Sequence, residues 1–282
     1  MKKILVSAFV FCCLAVMQLH AQISTPQPSP GASVSQRVGL TDIKVDYSRP
    51  SLKGRKLFGE VREYGKIWRT GANQATKVTF SDEVSLNGNK VAAGEYALMS
   101  IPNQSEWTII LSKDLKVTEQ SYKPENDAVR FTVKPATLPA KVETFTIDFS
   151  DLGTNTANLN ICWGTVKATV NVQTDVDKKV MAQIKEKVLD NASPAPGDLY
   201  AAALYYLDNN RDLPQALTWM NKATEKDPQF WQLHQKAKLQ AKLKDYTGAV
   251  ATAKKSIELA KAANNSDYVK MNEKLLAEMP KK

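Results

Sequence analysis

Two hydrophobic periods divide this chain. From Ala32 to about Gln173 apolar and polar residues tend to alternate, as in Thr41-Asp42-Ile43-Lys44-Val45-Asp46-Tyr47. A period of two sends one face of a strand inward and the other outward. Val84 to Val91 reads as a hairpin, because Asn87-Gly88 supplies the positive φ angles of a tight turn. Residues 94–101 and 107–111 form a second pair around Pro102-Asn103-Gln104-Ser105, and further strands are predicted at 128–133, 142–149, 159–163 and 166–172. Many short strands without intervening helices predict an antiparallel β-sandwich over 31–172, with a β-barrel as the alternative.

Near Thr174 the period changes. Val176, Val180, Ile184 and Val188 recur every four residues, which predicts a helix over 175–189. After Ser193-Pro194-Ala195-Pro196-Gly197, five more helices are predicted near 198–209, 214–226, 229–244, 246–263 and 267–279. The fold class is therefore α+β with two segregated domains, 31–172 and 175–282. The helical half carries an offset repeat: Asp212-Leu213-Pro214-Gln215-Ala216-Leu217 aligns with Asp245-Tyr246-Thr247-Gly248-Ala249-Val250, and Ala223 with Ser256. This resembles the tetratricopeptide repeat, in which small residues sit where two helices cross. Ala216, Ala223 and Pro228 occupy its Ala, Ala and Pro positions. Tyr200 stands at the tryptophan position, and the usual Gly-x-x-Tyr is absent. The resemblance implies antiparallel helical repeats that contact an unknown envelope protein.

The first residues read as a secretory signal over 1–21. Lys2 and Lys3 precede a mostly apolar run from Ile4 to Leu19, and Ala21-Gln22 is the expected cleavage point. Gln22 to Pro30 reads as a Pro/Ser-rich linker. The expected location is periplasmic or secreted, with no transmembrane segment after cleavage. Cleavage would also remove Cys12, Cys13 and His20, leaving Cys162 and His234 as the sole cysteine and histidine. That scarcity argues against a Ser-His-Asp triad, a Cys-His pair and a His/Cys zinc site. No cofactor and no metal site are predicted.

The formal charge is +9. Its excess is local: Arg49 to Arg69 holds seven Lys/Arg against Glu60 and Glu63. A confined basic segment points to an anionic or polar small ligand, and export argues against nucleic acid. The segment ends in Lys66-Ile67-Trp68-Arg69-Thr70-Gly71-Ala72-Asn73-Gln74-Ala75-Thr76, a composition rich in groups that need hydrogen-bond partners. Arg49, Arg55, Trp68, Arg69, Asn73 and Gln74 are the candidate ligand-binding residues, and no catalytic residue is assigned. Arg49 and Arg69 could form a two-arginine clamp for a carboxylate or phosphate, or could each pair with a strand carboxylate such as Asp42 or Asp46. Asn73 could bind ligand or hold a turn, and Trp68 could wall a pocket or fill the core. Cys162 reads as a buried small hydrophobe.

On Val45-Asp46-Tyr47-Ser48-Arg49-Pro50, Gly54-Arg55-Lys56, Trp68 to Thr76, Ala93-Gly94-Glu95-Tyr96 and Ile101-Pro102, the β half resembles the domain-of-unknown-function 2911 family of exported Bacteroidetes-type proteins. The resemblance spans roughly 30–172 and implies fold and location, with no established activity. The family commonly carries Glu where this chain has Gln74. An amide cannot act as a carboxylate base, which weakens carboxylate catalysis at that position. The leading expectation is an exported binding protein. A hydrolase acting on a polar or sugar substrate and a purely structural envelope scaffold are the alternatives.

Overall fold

The computed structural model describes residues 25–280. The signal expected at 1–21, with Cys12 and Cys13, lies outside the described residues. The chain forms two compact units that divide between Asp175 and Val176.

The first unit contains β1 (Gly31–Val38), β2 (Thr41–Ser48), β3 (Thr76–Phe80), β4 (Val84–Leu86), β5 (Asn89–Val91), β6 (Gly94–Ile101), β7 (Trp107–Ser112), β8 (Asp127–Val133), β9 (Ala136–Ser150) and β10 (Thr156–Thr174). They pair antiparallel in two open sheets, β1-β2-β3-β6-β7-β8 and β5-β4-β10-β9. Neither sheet closes, so the architecture is a sandwich rather than a barrel. β10 doubles back on itself. Thr174 N donates to Asn155 O at 2.9 Å, and Thr169 donates to Asn160 Oδ1 at 3.0 Å. The reversal falls at Gly164, whose φ of +60° favours glycine. The two-strand pattern at 159–163 and 166–172 reflects these two passes.

The inner faces meet in one core. Val45, Val78, Leu98, Ile109 and Leu111 from the larger sheet pack with Leu86, Phe145, Ile147, Ile161 and Val170 from the smaller one. Each fully buried side chain of this size contributes about 1.5–3 kcal/mol. Tyr47 ties the sheets together: its hydroxyl donates to Ile147 O at 3.2 Å and accepts from Ile147 N at 3.0 Å.

The larger sheet is also covered on part of its outer face. Ala97 and Met99 alternate with the inward Tyr96 and Leu98 along β6, yet all four are buried. Ala75, Ala97, Met99 and Ile110 form a second small apolar cluster, capped by Val117 and Tyr122 from the 113–126 loop. Tyr122 donates to both carboxylate oxygens of Asp127, at 3.0 and 2.9 Å, which clips that loop to the start of β8.

The second unit contains α1 (Val176–Ile184), extended by a wide turn to Leu189, then α2 (Pro196–Asp208), α3 (Leu213–Ala223), α4 (Phe230–Lys242), α5 (Tyr246–Ala262) and α6 (Ser266–Glu278). Sequential helices pack on one another from α2 to α6, and α4 also touches both α2 and α6. The repeat offset is visible in the caps. Asp212 Oδ1 accepts from Gln215 N and Asp245 Oδ1 from Gly248 N, both at 2.9 Å. Ala216 and Ala249, four residues after each cap, are completely buried. No described helix is long and apolar enough to cross a membrane.

Candidate functional site

The Trp68–Thr76 loop is built into the sandwich from below. Trp68 is 2% exposed and lies in the aromatic centre of the core, stacked on Trp163 at 5.7 Å and edge-on to Phe145 at 5.2 Å. Its indole donates to Gly71 O at 2.9 Å. The turn above it is forced. Thr70 and Asn73 both lie in the left-handed region, with φ of 49° and 60°. For a β-branched threonine that conformation is strained. Hydrogen bonds hold it: Thr70 donates to Ser100 Oγ at 2.9 Å, and Thr76 donates to Thr70 O at 2.6 Å. A side chain at Gly71 would begin 2.9 Å from Thr76 Oγ1 and 3.3 Å from the backbone oxygen of Ser48. Only glycine admits that approach.

The arginines are committed inside the protein. Arg49 donates to Phe145 O at 2.9 Å and Thr146 Oγ1 at 2.7 Å, so it bridges the end of β2 to β9. It pairs with neither Asp42, which binds Arg37, nor Asp46, which binds Lys44. Arg55 donates to Leu52 O at 2.9 Å and Ser51 O at 3.2 Å. Arg69 donates to Asn73 O and contacts Glu119 Oε1 at 3.4 Å. A two-arginine clamp does form, but its partner for Arg69 is Arg62, and the carboxylate between them belongs to Glu119. Arg62 meets that carboxylate at 3.0 Å and lies over the Trp68 ring at 5.2 Å. Burial lowers its pKa, with Glu119 acting in the opposite direction.

The six sequence candidates thus adjoin without sharing one open cleft. Arg69 and Asn73 touch. Asn73 Nδ2 donates to Ser29 O at 3.1 Å and Ser48 Oγ at 3.2 Å, next in the chain to Arg49. The Arg49 guanidinium itself faces β9, and Arg55 stays on its own turn. Only Asn73 and Gln74 are exposed side chains of the loop that line a groove.

Of the cavities beside this loop, one is lined by Glu119 itself and another by the Leu115–Thr118 segment just before it. The first, about 260 Å³, is lined by Trp68, Arg62, Lys66, Glu60, Glu63 and Glu119, so its two cations face three carboxylates. The second, about 420 Å³, is lined by Asn73, Gln74, Ala75, Lys77, Leu115, Lys116, Val117 and Thr118. Two of these are lysines and none is acidic. Lys77 leans toward Glu95 at 3.8 Å, whereas the exposed Lys116 makes no side-chain ion pair among the described residues. The Leu115–Thr118 wall escaped sequence reasoning because nothing in its residues marks it. The hint was Ala75 and Ala97, small outward residues on strands whose outer face is apolar and must be covered.

Cys162 is buried, and burial pushes its thiol up to about 11, which makes it a packing residue. No cluster of three or more His, Cys, Asp or Glu suited to a metal ion occurs among the described residues.

No curated protein and no solved structure matches the chain. One family model does, that of the "Protein of unknown function (DUF2911)", over residues 29–172, a little over half of the 282 residues. This match takes in both sheets, the Trp68–Thr76 loop and both cavities, and it shows that the chain belongs to the DUF2911 family.

Proposed function

We propose that this is an exported, non-catalytic binding protein. Its β unit takes a small anionic or polar ligand in the second cavity, and its helical unit contacts a protein of the cell envelope. The observation that carries the ligand reading is the groove beside Asn73 and Gln74, whose lining holds two lysines and no carboxylate, with Lys77 turned toward Glu95 outside it and Lys116 making no side-chain ion pair among the described residues. Charge of one sign in a concave site favours the opposite charge in a ligand. Arg49, Arg55 and Arg69 act as braces in this reading, since their donors already meet protein acceptors.

The tetratricopeptide-like reading of the helical unit rests on its repeated caps and on Ala216 and Ala249, each buried completely. Contacts of α2 with α4 and of α4 with α6 suit stacked helix pairs, which present an extended surface to partners.

Export predicts a mature protein that begins at Gln22, which N-terminal sequencing of the processed protein reads directly; an intact Met1 in the envelope fraction contradicts it. Ligand binding predicts a raised melting temperature with small anions, by about 2.7 kcal/mol of added stability at a hundred times Kd. A screen in which neutral polyols stabilise the protein and anions do not contradicts the anionic reading.

A hydrolase reading draws on one observation only, that Glu60, Glu63 and Glu119 line the first cavity. Glu119 is held there by two arginines, and Glu60 accepts from Lys56 N at 3.1 Å. Turnover of a polar ester or glycoside that is abolished by Glu63→Gln would favour this reading over the binding one.

A further inference from the structure

The second cavity has an apolar floor as well as a cationic rim. Ala75 and Val117, which line it, belong to the small outer cluster with Ala97, Met99 and Ile110, and Leu115 adds a half-buried apolar wall. At the rim stand Lys77, Lys116 and the Gln74 amide, which makes no hydrogen bond among the described residues. A volume of about 420 Å³ lies in the range that holds a small organic molecule.

We propose that this groove binds a small organic carboxylate with an apolar body, the body lying on Ala75, Leu115 and Val117 and the carboxylate meeting Lys116, Lys77 and Gln74. The proposal deepens the small-anion reading of the same groove and rests on it. Three ligand classes fit less well. A cation would meet two lysines and no lining carboxylate. A neutral polar ligand would leave Lys116 without a counter-charge and would set hydroxyls against an apolar floor. An inorganic phosphate has no apolar body to lie on Ala75, Leu115 and Val117, and it would lack the forked arginine donors that grip it best. The neighbouring arginines are committed to Phe145 O, Leu52 O, Asn73 O and Glu119. Lysine, by contrast, offers a point charge on a flexible stem. The first cavity does not compete for an anion, because Glu60, Glu63 and Glu119 outnumber its two cations.

The test is a titration of the full chain, followed through backbone amide NMR signals, with hexanoate, hexanamide and inorganic phosphate. Hexanoate should move the signals of 73–77 and 115–118 and bind about tenfold more tightly than either other probe, a difference of about 1.4 kcal/mol. Lys116→Gln and Gln74→Glu change exposed side chains, so folding should survive, and each should weaken hexanoate about tenfold. Hexanamide binding as well as hexanoate would overturn the carboxylate assignment while leaving the groove as a site. Phosphate binding as well as hexanoate would overturn the apolar body. If no probe moves the groove signals, both this proposal and the ligand reading beneath it fail.

Discussion

The two units bury polar groups in different ways. In the β unit, polar side chains are carried on an irregular loop and are tied mostly to backbone carbonyls, while large aromatics fill the space beneath. Trp68, Trp107, Trp163 and Phe145 form that centre. In the helical unit the interior sets small residues, among them Ala202, Ala203, Ala216, Ala249 and Ala253, between larger ones such as Leu207, Trp219, Met220 and Leu239. A chain of polar side chains crosses it: His234 Nδ1 to Asn272 Oδ1 at 2.9 Å, Asn272 Nδ2 to Ser256 Oγ at 2.9 Å, and Ser256 Oγ to Phe230 O at 2.6 Å. That chain joins α4, α5 and α6, and it runs through Ser256, the position that answers Ala223 in the repeat. The β unit is therefore vulnerable to lost volume, and the helical unit to added volume and to a proton.

The largest effect should come from Trp68→Ala. It removes a core aromatic and one hydrogen bond, and should cost about 3–5 kcal/mol in urea unfolding of the β unit. A cost below about 1 kcal/mol would mean that the loop is not anchored through the core. Next comes Ala216→Leu in the helical unit, at about 1–3 kcal/mol from overpacking. Lys222→Leu on the exposed face should stay within about 0.5 kcal/mol. Equal effects at the two positions would remove the close helix crossing, and with it the main support for a tetratricopeptide-like surface.

A smaller effect separates the units by pH. Burial lowers the pKa of His234, while its bond to Asn272 acts the other way and Lys238 adds to the lowering; the Tyr268 ring packs edge-on at 5.6 Å. A lowered folded pKa means that the unfolded chain takes up the proton first. The stabilisation is complete above the unfolded value of about 6.5 and is lost as pH falls below it through the folded pKa. Melting of the helical unit should therefore drop between pH 7 and 5 by more than that of a His234→Gln variant. Parallel pH profiles for the two proteins would show that His234 does not carry the dependence.

Much of this fold is legible in the chain because its signals are local. Four-residue spacing marks the helices, Asp212 and Asp245 mark the repeat, and Asn87-Gly88 marks the β4–β5 turn. The site is legible only in part, because its decisive contacts are distant. Glu119 lies fifty residues from Arg69. The acceptor for Arg49 is a backbone carbonyl at Phe145, which carries no residue-type signal. A basic composition between Arg49 and Arg69 thus does not reveal that Arg49, Arg55 and Arg69 bond to acceptors inside the protein. Of these arginines only Arg69 bonds within the Trp68–Thr76 loop, and Lys116 stands on the same 113–126 loop that carries Glu119.

That division of labour between bracing arginines and a ligand-facing lysine is the central claim, and one comparison tests it. Melting temperatures of the Arg49→Gln and Lys116→Gln proteins are measured with and without hexanoate. Arg49→Gln should melt lower without ligand and keep the hexanoate-induced rise. Lys116→Gln should melt like the parent protein without ligand and lose most of the rise. The reverse pattern, with binding lost in Arg49→Gln at unchanged stability and retained in Lys116→Gln, would contradict the account.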